Sequence, residues 1–567
     1  MSERFDTRDD DWPLRPWLMA AICAVAGLLF ERLSNMDSND VVPAIRQAGA
    51  AFVVVAAVSF VITVEQRRWR WALGFALGWG AIVALVGWFA ASYNPRREIF
   101  EFPFLSGLFA VLLAAPLFQT LRDEGAWQFP YARLHGHAWT DAVIGAAALA
   151  FVGISFLLAW LIGGLFALIG IELLTHLLKK SWFGWLLAGF AFGAAVGLLR
   201  ERDALVGTLQ RLVMVVLGVL APVLAIALTL FLLSLPFTGL GKLWDSAIPA
   251  TPLMLVAGAG AILLANAVIG NGADDRATSR VLRMSALVLV LAVLPLALIA
   301  AVSLGQRIAQ YGWTPERIWG VVAVVVALGY GLGGWWTVAK GREGFDDLLR
   351  PLQTKLALGL CAIALFLALP ILDFGAISAN SQLARLESGN VKAEEFDWTA
   401  MAFDFGSVGR KHLAEIAKSG PAGQRELAKT ALNSENRFSL STVTKSAAQQ
   451  SRLDRYLRLL SPDIDLTPEL ISEITNGWQG CNDRPCALVR LDQKRLLLVI
   501  SSAGNDIVSS RIIYLNSLGK DQQELVSTIA RKAAVEGVDL KSVPIEIRTV
   551  LHRQLFVDGK PVDDPFE

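Results

Sequence analysis

Long apolar runs dominate the first two thirds of the chain, and short apolar stretches between polar residues follow them. Eleven runs predict membrane-spanning helices, because most reach the roughly 18 to 20 residues with which a helix crosses a hydrocarbon core. They lie at 17–30, 48–64, 71–91, 102–121, 139–162, 182–199, 212–234, 251–269, 286–304, 316–338 and 355–372. From Asp373 onward, short amphipathic segments alternate with turn residues, as in a water-soluble part. The sequence therefore predicts an α-helical polytopic membrane bundle of 11 spans followed by an α+β soluble domain.

The distribution of Lys and Arg predicts which side of the membrane each region occupies. Together with the first two residues of the span that follows, loops after even-numbered spans hold 15 basic residues, whereas loops after odd-numbered spans hold 9. Basic residues are enriched in cytoplasmic loops, so the N-terminus is expected inside and, with an odd number of spans, the C-terminal part outside. The predicted regions are a cytoplasmic tail (1–16), a transmembrane domain (17–372), a helical external region (373–480) and an α+β external region (481–567).

Glycines predict where spans pack closely and where one of them breaks. Small residues recur every four positions at Gly74 with Gly78, at Gly189, Gly193 and Gly197, and at Gly329 with Gly333. That spacing lets helix backbones approach one another. Elsewhere, a straight helix from Trp139 to Lys180 would be about 63 Å long. We therefore expect a break at Gly163-Gly164, with an interfacial helix after it.

The soluble part is predicted to begin with helices and to continue with strands. Residues 378–460 are helical in pattern, and short helices are expected at 454–460 and 467–476. Strands are expected at 487–491, 495–501 and 507–515, a helix at 522–534, a further strand at 543–549 and a final turn at 558–560.

Cysteines indicate the compartment of the soluble part. Cys481 and Cys486 enclose a four-residue loop, and a disulfide between them would be stable in an oxidising compartment. Two free thiols are the alternative. The other two cysteines, Cys23 and Cys361, lie in apolar runs and are expected to behave as small buried hydrophobes.

The sequence carries no recognisable catalytic motif. It has no nucleophile elbow, no zinc-protease motif and no phosphate-binding loop, and its spans are almost free of the charged residues on which ion-coupled carriers depend. One hypothesis is a metal site at His135 and His137, which share a predicted loop with Asp123, Glu124 and Asp141. The alternative, which we favour, is an interfacial loop without a metal. We expect no cofactor and no resident metal, and a role that is not enzymatic. The net charge of +1 gives no reason to expect nucleic-acid binding.

Two external segments next to the membrane form the candidate ligand site. Pro370 and Gly375 end the last span, and Ser378 is expected to cap the helix that follows. This junction helix and the loop after span 9 can meet, since both are predicted on the external membrane surface. The predicted interfacial pocket contains Arg307, Tyr311, Arg317, Gln382 and Arg385, with Asp397 as a counter-charge. Arginines suit a phosphate or carboxylate head group; in the alternative, each arginine extends to ordinary lipid or pairs with a local acid.

Three stretches resemble a known family. They are Trp160–Ile171, Tyr311–Arg317 and Ile377–Leu386, the last followed by Phe396-Asp397 and by Gly406 and Gly409. In these the chain resembles the bacterial membrane proteins grouped as domain of unknown function 4153. The resemblance covers most of the membrane region and implies a bacterial cytoplasmic-membrane protein. The family has no established activity and no catalytic residues to transfer.

The preferred interpretation is an inner-membrane scaffold or sensor whose periplasmic domain binds an envelope protein. The alternative is a transporter or lipid-handling protein, with the external domain as a gate. Membrane lipid is the other expected partner. A water-filled cavity at mid-membrane would favour transport, whereas a solid, glycine-packed bundle would favour the scaffold.

Overall fold

The computed structural model divides the chain into two compact units, each described here by itself. One unit comprises Met1–Glu387 with Ala400–His412, and the other comprises Ser388–Thr399 with Leu413–Glu567. The structure describes residues 12–35, 42–93, 102–239, 241, 249–272, 275–393, 395–434, 437, 440, 456–475, 481, 486–501, 507–515, 533–534, 556–557 and 560–561. The predicted domain bounds at 372 and 480 stay predictions.

The expected number of membrane spans is confirmed. Within the described residues, 11 helices are long and apolar enough to cross a membrane. They are α1 (Arg15–Ser34), α2 (Ala44–Thr63), α3 (Trp69–Tyr93), α4 (Phe102–Glu124), α5 (Tyr131–Leu168), α7 (Ser181–Arg200), α8 (Asp203–Thr238), α9 (Ala250–Ile269), α10 (Arg280–Tyr311), α11 (Pro315–Gly341) and α12 (Phe345–Ala368). Between α5 and α7 lies the short α6 (Leu173–Leu178). Many spans extend beyond the predicted bounds, because their end turns carry polar residues that an apolar run leaves out.

Arginine side chains hold the C-terminal end of α2. Arg122 Nη1 donates to the carbonyl oxygen of Thr63 at 2.7 Å, and Arg15 Nη2 donates to the next carbonyl at 3.2 Å. Arg200 donates to the carbonyl immediately before Thr63. The last carbonyls of a helix have no partner within the helix and carry a partial negative charge, so guanidinium groups stabilise them. Three other spans, α1, α4 and α7, are tied to α2 in this way.

The end of α9 is held in the same manner. Arg350 Nη2, from the start of α12, donates to the last carbonyl of α9 at 3.0 Å and to Asp346 at 2.9 Å. Asp346 is only 1% exposed and also pairs with Arg276 at 3.2 Å. His135, near the start of α5, bonds Asn271, which follows α9. These contacts join the end of α9 to the starts of α5 and α12, and we call this side of the bundle, where α2 also ends, the arginine end.

Close glycine packing is confirmed between α1 and α7. A methyl group added at Gly189 or Gly193 would overlap the carbonyl groups of Cys23 or Met19 on α1. The other predicted pairs differ. Gly74 and Gly78 have nothing within 4 Å, so the prediction of close packing at these two glycines of α3 is wrong. Four-residue spacing permits an approach of two helices, but it does not decide which face meets a neighbour.

The two predicted glycines of α11 also differ in the space that an added methyl group would find. Gly329 has nothing within 4 Å, whereas a methyl group at Gly333 would come within 2.8 Å of Leu352. The closest approaches of α11 involve Gly331, where an added methyl group would lie 2.7 Å from the backbone of Leu294, and Gly334. Close packing on α11 is therefore real, but it involves a glycine pair shifted along the helix.

The expected break at Gly163-Gly164 is wrong in position. Helix α5 continues through both glycines to Leu168, and the chain turns at Gly170, where φ is +82°. A positive φ is accessible to glycine without steric strain, which explains why the turn falls there. The helix α6 then folds back against Gly163, whose added Cβ would lie 3.7 Å from Leu174 and Leu178. An interfacial position for α6 stays a prediction.

The junction helix α13 (Phe374–Glu387) begins four residues before the predicted cap. Asp373 Oδ1 accepts a hydrogen bond from Ala376 N at 2.8 Å and so serves as the N-cap. Ser378 instead lies inside the helix, where its hydroxyl donates to the Phe374 carbonyl at 2.7 Å. The predicted cap is therefore wrong, because an acid just before the helix outcompetes a serine within it.

The second unit contains a five-stranded sheet with the order β1-β2-β3-β4-β5. Its strands are β1 (Leu457–Leu459), β2 (Cys486–Arg490), β3 (Arg495–Ser501), β4 (Ile507–Tyr514) and β5 (Ala533–Ala534). Strand β1 pairs with β2 in parallel, and the other neighbours are antiparallel. The three central strands confirm the predicted run of strands. The other α-helices in the described part of the chain are α14 (Trp398–Phe403) and α15 (Gly406–Ser419), which the boundary between the units divides, and α16 (Ala422–Asn433) and α17 (Pro468–Thr475) of the second unit.

Two predicted helices of this region are corrected. The segment 454–460 was expected to be helical, but Leu457–Leu459 pair with β2, because a sheet edge gives these alternating residues a partner. Ala533 and Ala534, the end of the helix predicted at 522–534, pair with β4. The rest of that helix and the strand predicted at 543–549 lie outside the described residues. At the predicted final turn, β6 (Phe556–Val557) and β7 (Lys560–Pro561) pair antiparallel.

The two soluble cysteines lie in the core beneath the sheet. Cys481 and Cys486 are each 1% exposed and pack in a cluster that includes Leu470, Ile474 and Leu488. The structure joins the two sulfur atoms in a disulfide, with the Cα atoms 5.9 Å apart. This separation is within the usual range for a disulfide. The crosslink anchors the start of β2 to the chain that follows α17.

Candidate functional site

A cavity of about 650 Å³ lies inside the membrane bundle. Side chains from α4, α5 and α9 to α12 line it. The walls are mostly apolar, with Leu255, Ile262 and Val326 as examples, and small residues such as Ala327 and Ala357 leave the space open. This volume is in the usual range of small-molecule sites, which are typically apolar with a few polar groups.

The cavity runs along the bundle from one side to the other. Thr354 and Leu367 both line it, and the helix between them corresponds to about 20 Å at 1.5 Å per residue. Thr354 lies near the arginine end, close to Arg350 on the same helix. Leu367 lies at the opposite end, in the last turn of α12. The cavity therefore extends over about two thirds of a hydrocarbon core roughly 30 Å thick.

Aromatic residues separate this cavity from a second one. Trp319 stacks on Phe102, with ring centroids 5.6 Å apart, and meets Phe374 edge-on at 5.5 Å. The second cavity, of about 370 Å³, shares Trp319 and Phe102 with the first and is also lined by Phe374, in the first turn of α13. The second cavity thus lies between the aromatic residues that bound the first one and the start of the junction helix.

Polar side chains gather where the cavity reaches the arginine end. Gln353 Nε2 donates to Asn266 Oδ1 at 2.6 Å, which links α12 to α9. Trp139 Nε1 donates to His135 Nε2 at 2.8 Å, so this nitrogen is the acceptor. His135 Nδ1 must then carry the proton that it shares with Asn271. The imidazole is thus held on both sides, and it stacks on the ring of Tyr131 at 5.1 Å.

The histidine arrangement corrects the open metal hypothesis. His135 and His137 lie in the first turns of α5, not in a loop. Both ring nitrogens of His135 have other partners, while His137 Nε2 bonds Asp123 Oδ2 at 2.9 Å. Within the described part of the chain, no group of three or more His, Cys, Asp or Glu side chains could hold a metal ion.

The predicted external site residues do come together. Arg317 Nη1 donates to the carbonyls of Tyr311 at 3.1 Å and Gly312 at 2.6 Å. Gln382 Nε2, from α13, donates to the same Tyr311 carbonyl at 2.8 Å. Arg385 Nη2 donates to the carbonyl of Gln310 at 2.6 Å. The end of α10 is therefore bound by side chains from α11 and from the junction helix.

The remaining predicted residues differ in their placement. Arg307 and Arg317 lie over the ring of Tyr311, with guanidinium carbons 5.8 and 5.5 Å from its centroid, within cation–π distance. Asp397 belongs to the second compact unit, and its role as a counter-charge stays a prediction.

The contacts of this cluster explain its residues without a ligand. Its hydrogen bonds go to backbone carbonyls at the C-terminal end of α10, which otherwise lack partners. Thr314 caps α11 by accepting from Arg317 N at 3.4 Å. Gly312, with φ at +73°, allows the tight turn between α10 and α11. The geometry favours a structural role, in which these hydrogen bonds fix the turn between α10 and α11 to α13. The anion site stays a hypothesis.

Sequence reasoning missed the cavity and its polar end. Tyr131, Asn266, Gln353 and Thr354 lie in separate segments, each within a turn or two of a span's end, where polar residues are ordinary. The available signal was that all four positions fall at helix ends predicted on the same side of the membrane. That pattern places them at one depth, but it does not reveal an open space between them.

These features define a multi-pass helical membrane protein with a cavity inside its bundle. Over residues 50–416 the chain matches the family described as domain of unknown function, DUF4153. Since the match covers more than half of the chain, the protein belongs to this family. No curated protein and no solved structure matches the chain.

Proposed function

We propose that this protein binds a membrane amphiphile in the cavity of its bundle and acts as a lipid-handling protein. The observation that carries the proposal is the cavity of about 650 Å³, with apolar walls and one polar end. A lipid has the matching division between an apolar chain and a polar head.

The surroundings of the cavity support this choice over a water-filled pathway. Leu105, Phe109 and Ile363 line the cavity and are 48%, 44% and 41% exposed. Exposed lining residues give the cavity an opening on the side of the bundle, where lipid chains would lie. Mostly apolar walls offer few hydrogen bonds to water or to an ion, so a hydrocarbon chain is the better occupant.

Filling the cavity tests the proposal. Ala327→Phe places a ring where the wall is small, and Val325→Phe on the same helix is the control, since Val325 is 59% exposed and does not line the cavity. The purified proteins are compared by native mass spectrometry for bound lipid. We expect wild type and Val325→Phe to retain lipid alike, and Ala327→Phe to retain about tenfold less, a difference of about 1.4 kcal/mol in affinity. Equal retention by both variants would overturn the proposal.

The proposal includes a location, which is supported by the sequence. We place the protein in the bacterial cytoplasmic membrane with a cytoplasmic N-terminus and a periplasmic C-terminal domain. The excess of basic residues on one set of loops supports this orientation, which puts the arginine end inside. The Cys481–Cys486 disulfide supports the same side for the C-terminal domain, because disulfides persist in oxidising compartments.

A scaffold or sensor is the second candidate function. The second compact unit has its own sheet and its own buried core, which fits a domain that binds an envelope protein. The close packing of α1 on α7 also fits a rigid support. Under this candidate, removal of the C-terminal domain abolishes function while the lipid content of the membrane bundle stays unchanged.

A further inference from the structure

Two buried hydroxyl groups stand at the polar end of the cavity without a partner. Tyr131 and Thr354 both line the cavity, and neither Tyr131 Oη nor Thr354 Oγ1 makes a hydrogen bond to the described residues. Thr354 is 7% exposed, so bulk water does not serve it. Leaving a buried polar group unsatisfied costs about 1–3 kcal/mol. A native structure normally supplies a partner at such a position.

The hydroxyl of Thr354 lacks the hydrogen bond that other helical threonines of this chain make. A helical threonine commonly donates to the carbonyl four residues earlier. Thr63 and Thr120 do so, at 2.7 and 2.8 Å. Thr354 lies in α12, yet its hydroxyl has no such bond to Arg350. Its hydrogen-bonding capacity therefore remains available at the cavity wall.

The charges next to these hydroxyls balance. Arg350 pairs with Asp346 and Asp347, at 2.9 Å in each case, and Asp346 also pairs with Arg276 at 3.2 Å. Two guanidinium groups thus face two carboxylates, so these four side chains together carry no net charge with which to attract an ion. A charged head group would also lose its hydration on entering the bundle, which is costly without an opposite charge.

Building on the proposed function, we infer that the cavity recognises an amphiphile with an uncharged, oxygen-bearing head, such as a long-chain alcohol. The head lies between Tyr131 and Thr354, at the arginine end. The two hydroxyls donate to its oxygen or accept its proton. The chain runs along α12 toward Trp319 at the opposite end. The stacking of His135 on Tyr131 and its bond to Asn271 hold the phenol in position.

Photolabelling with three probes of one chain length tests this inference. The probes are a diazirine-bearing long-chain alcohol, the corresponding carboxylic acid and the corresponding hydrocarbon. The test protein is Tyr131→Phe with Thr354→Val, which removes both hydroxyls and keeps the side-chain shapes. Tyr330→Phe is the control, because Tyr330 lines the same cavity and its hydroxyl is not among the buried unpartnered groups.

We expect the alcohol to label the wild type and Tyr330→Phe more strongly than the acid does. The double variant should lose about tenfold in alcohol labelling, or about 1.4 kcal/mol, while hydrocarbon labelling is unchanged. Unchanged alcohol labelling of the double variant would mean that water satisfies the hydroxyls, and the inference would be wrong. Stronger labelling by the acid would also overturn it. If Ala327→Phe takes up the probes like the wild type, the proposed function fails; if only the double variant is without effect, this inference alone fails.

Discussion

The contact between α1 and α7 allows a direct test of the packing that holds the first half of the bundle. Gly189 and Gly193 face carbonyl groups of α1, so a methyl group at either position collides with backbone. Backbone cannot rotate away as the end of a long side chain can. The double variant Gly189→Ala, Gly193→Ala must therefore separate the two helices or shift one along the other. Gly74→Ala with Gly78→Ala is the matched control, since both of these glycines have nothing within 4 Å.

The two double variants should change stability in opposite directions. Overfilling a packed interface costs about 1–3 kcal/mol for each site, which gives about 2–6 kcal/mol for two collisions. In an open helix, replacing glycine by alanine instead stabilises by up to about 1 kcal/mol for each site. We therefore expect the variants to differ by roughly 2–8 kcal/mol.

Thermal unfolding in detergent, followed by tryptophan fluorescence, measures the difference. The α7 variant should unfold at a clearly lower temperature than the wild type, and the α3 variant at the same or a higher temperature. The chain contains 18 tryptophans, and Trp185 lies at the interface itself, with its ring 4.5 Å from Phe30. Equal midpoints for the two double variants would show that α1 and α7 do not approach as closely as the structure places them.

Three further predictions concern charge, orientation and redox state. Asp346→Ala should destabilise the protein by about 3–5 kcal/mol in chemical unfolding, because it removes the buried partner of Arg350, whereas Asp347→Ala, whose carboxylate is 71% exposed, should change stability by at most about 1 kcal/mol; similar effects would refute the buried pair. An alkaline phosphatase fused to the C-terminus should be active and a fluorescent protein fused there dark, and the reverse result would place the C-terminal domain inside. In the native, unreduced protein, thiol reagents should not label Cys481 or Cys486, and labelling of either would argue for free thiols.

The sequence predicted the number of spans because hydrocarbon length is a strong constraint on apolar runs. It predicted their ends poorly, because the last turns are stabilised by contacts that a single chain segment does not display. Arg122 and Arg200 read as ordinary charged residues after a span, yet both belong to helices and bind the end of α2. Likewise, Gly170 gave no signal stronger than that of Gly163-Gly164, although the turn occurs at Gly170.

The external cluster shows how far sequence reasoning can reach. Arg317, Gln382 and Arg385 could be placed together because each lies close to the end of a span predicted on the same side. Their partners could not be predicted, because residue types alone do not distinguish a guanidinium that awaits an anion from one that binds a carbonyl. In the structure both arginines bind carbonyls near the end of α10. Depth in the membrane is thus encoded locally, whereas the choice of partner depends on the packing of distant helices.

The arginine end connects the stability of the bundle with its proposed site. Arg350 binds the last carbonyl of α9 and pairs with Asp346, and one turn further along α12 Thr354 lines the cavity. The ion pair therefore fixes the position of Thr354 along the bundle relative to Tyr131. Tyr131 is held by the stacked ring of His135, which in turn bonds Asn271 at the end of α9. Since the same contacts neutralise the charges beside the two hydroxyls, they both position the polar end of the cavity and make it suited to an uncharged head group.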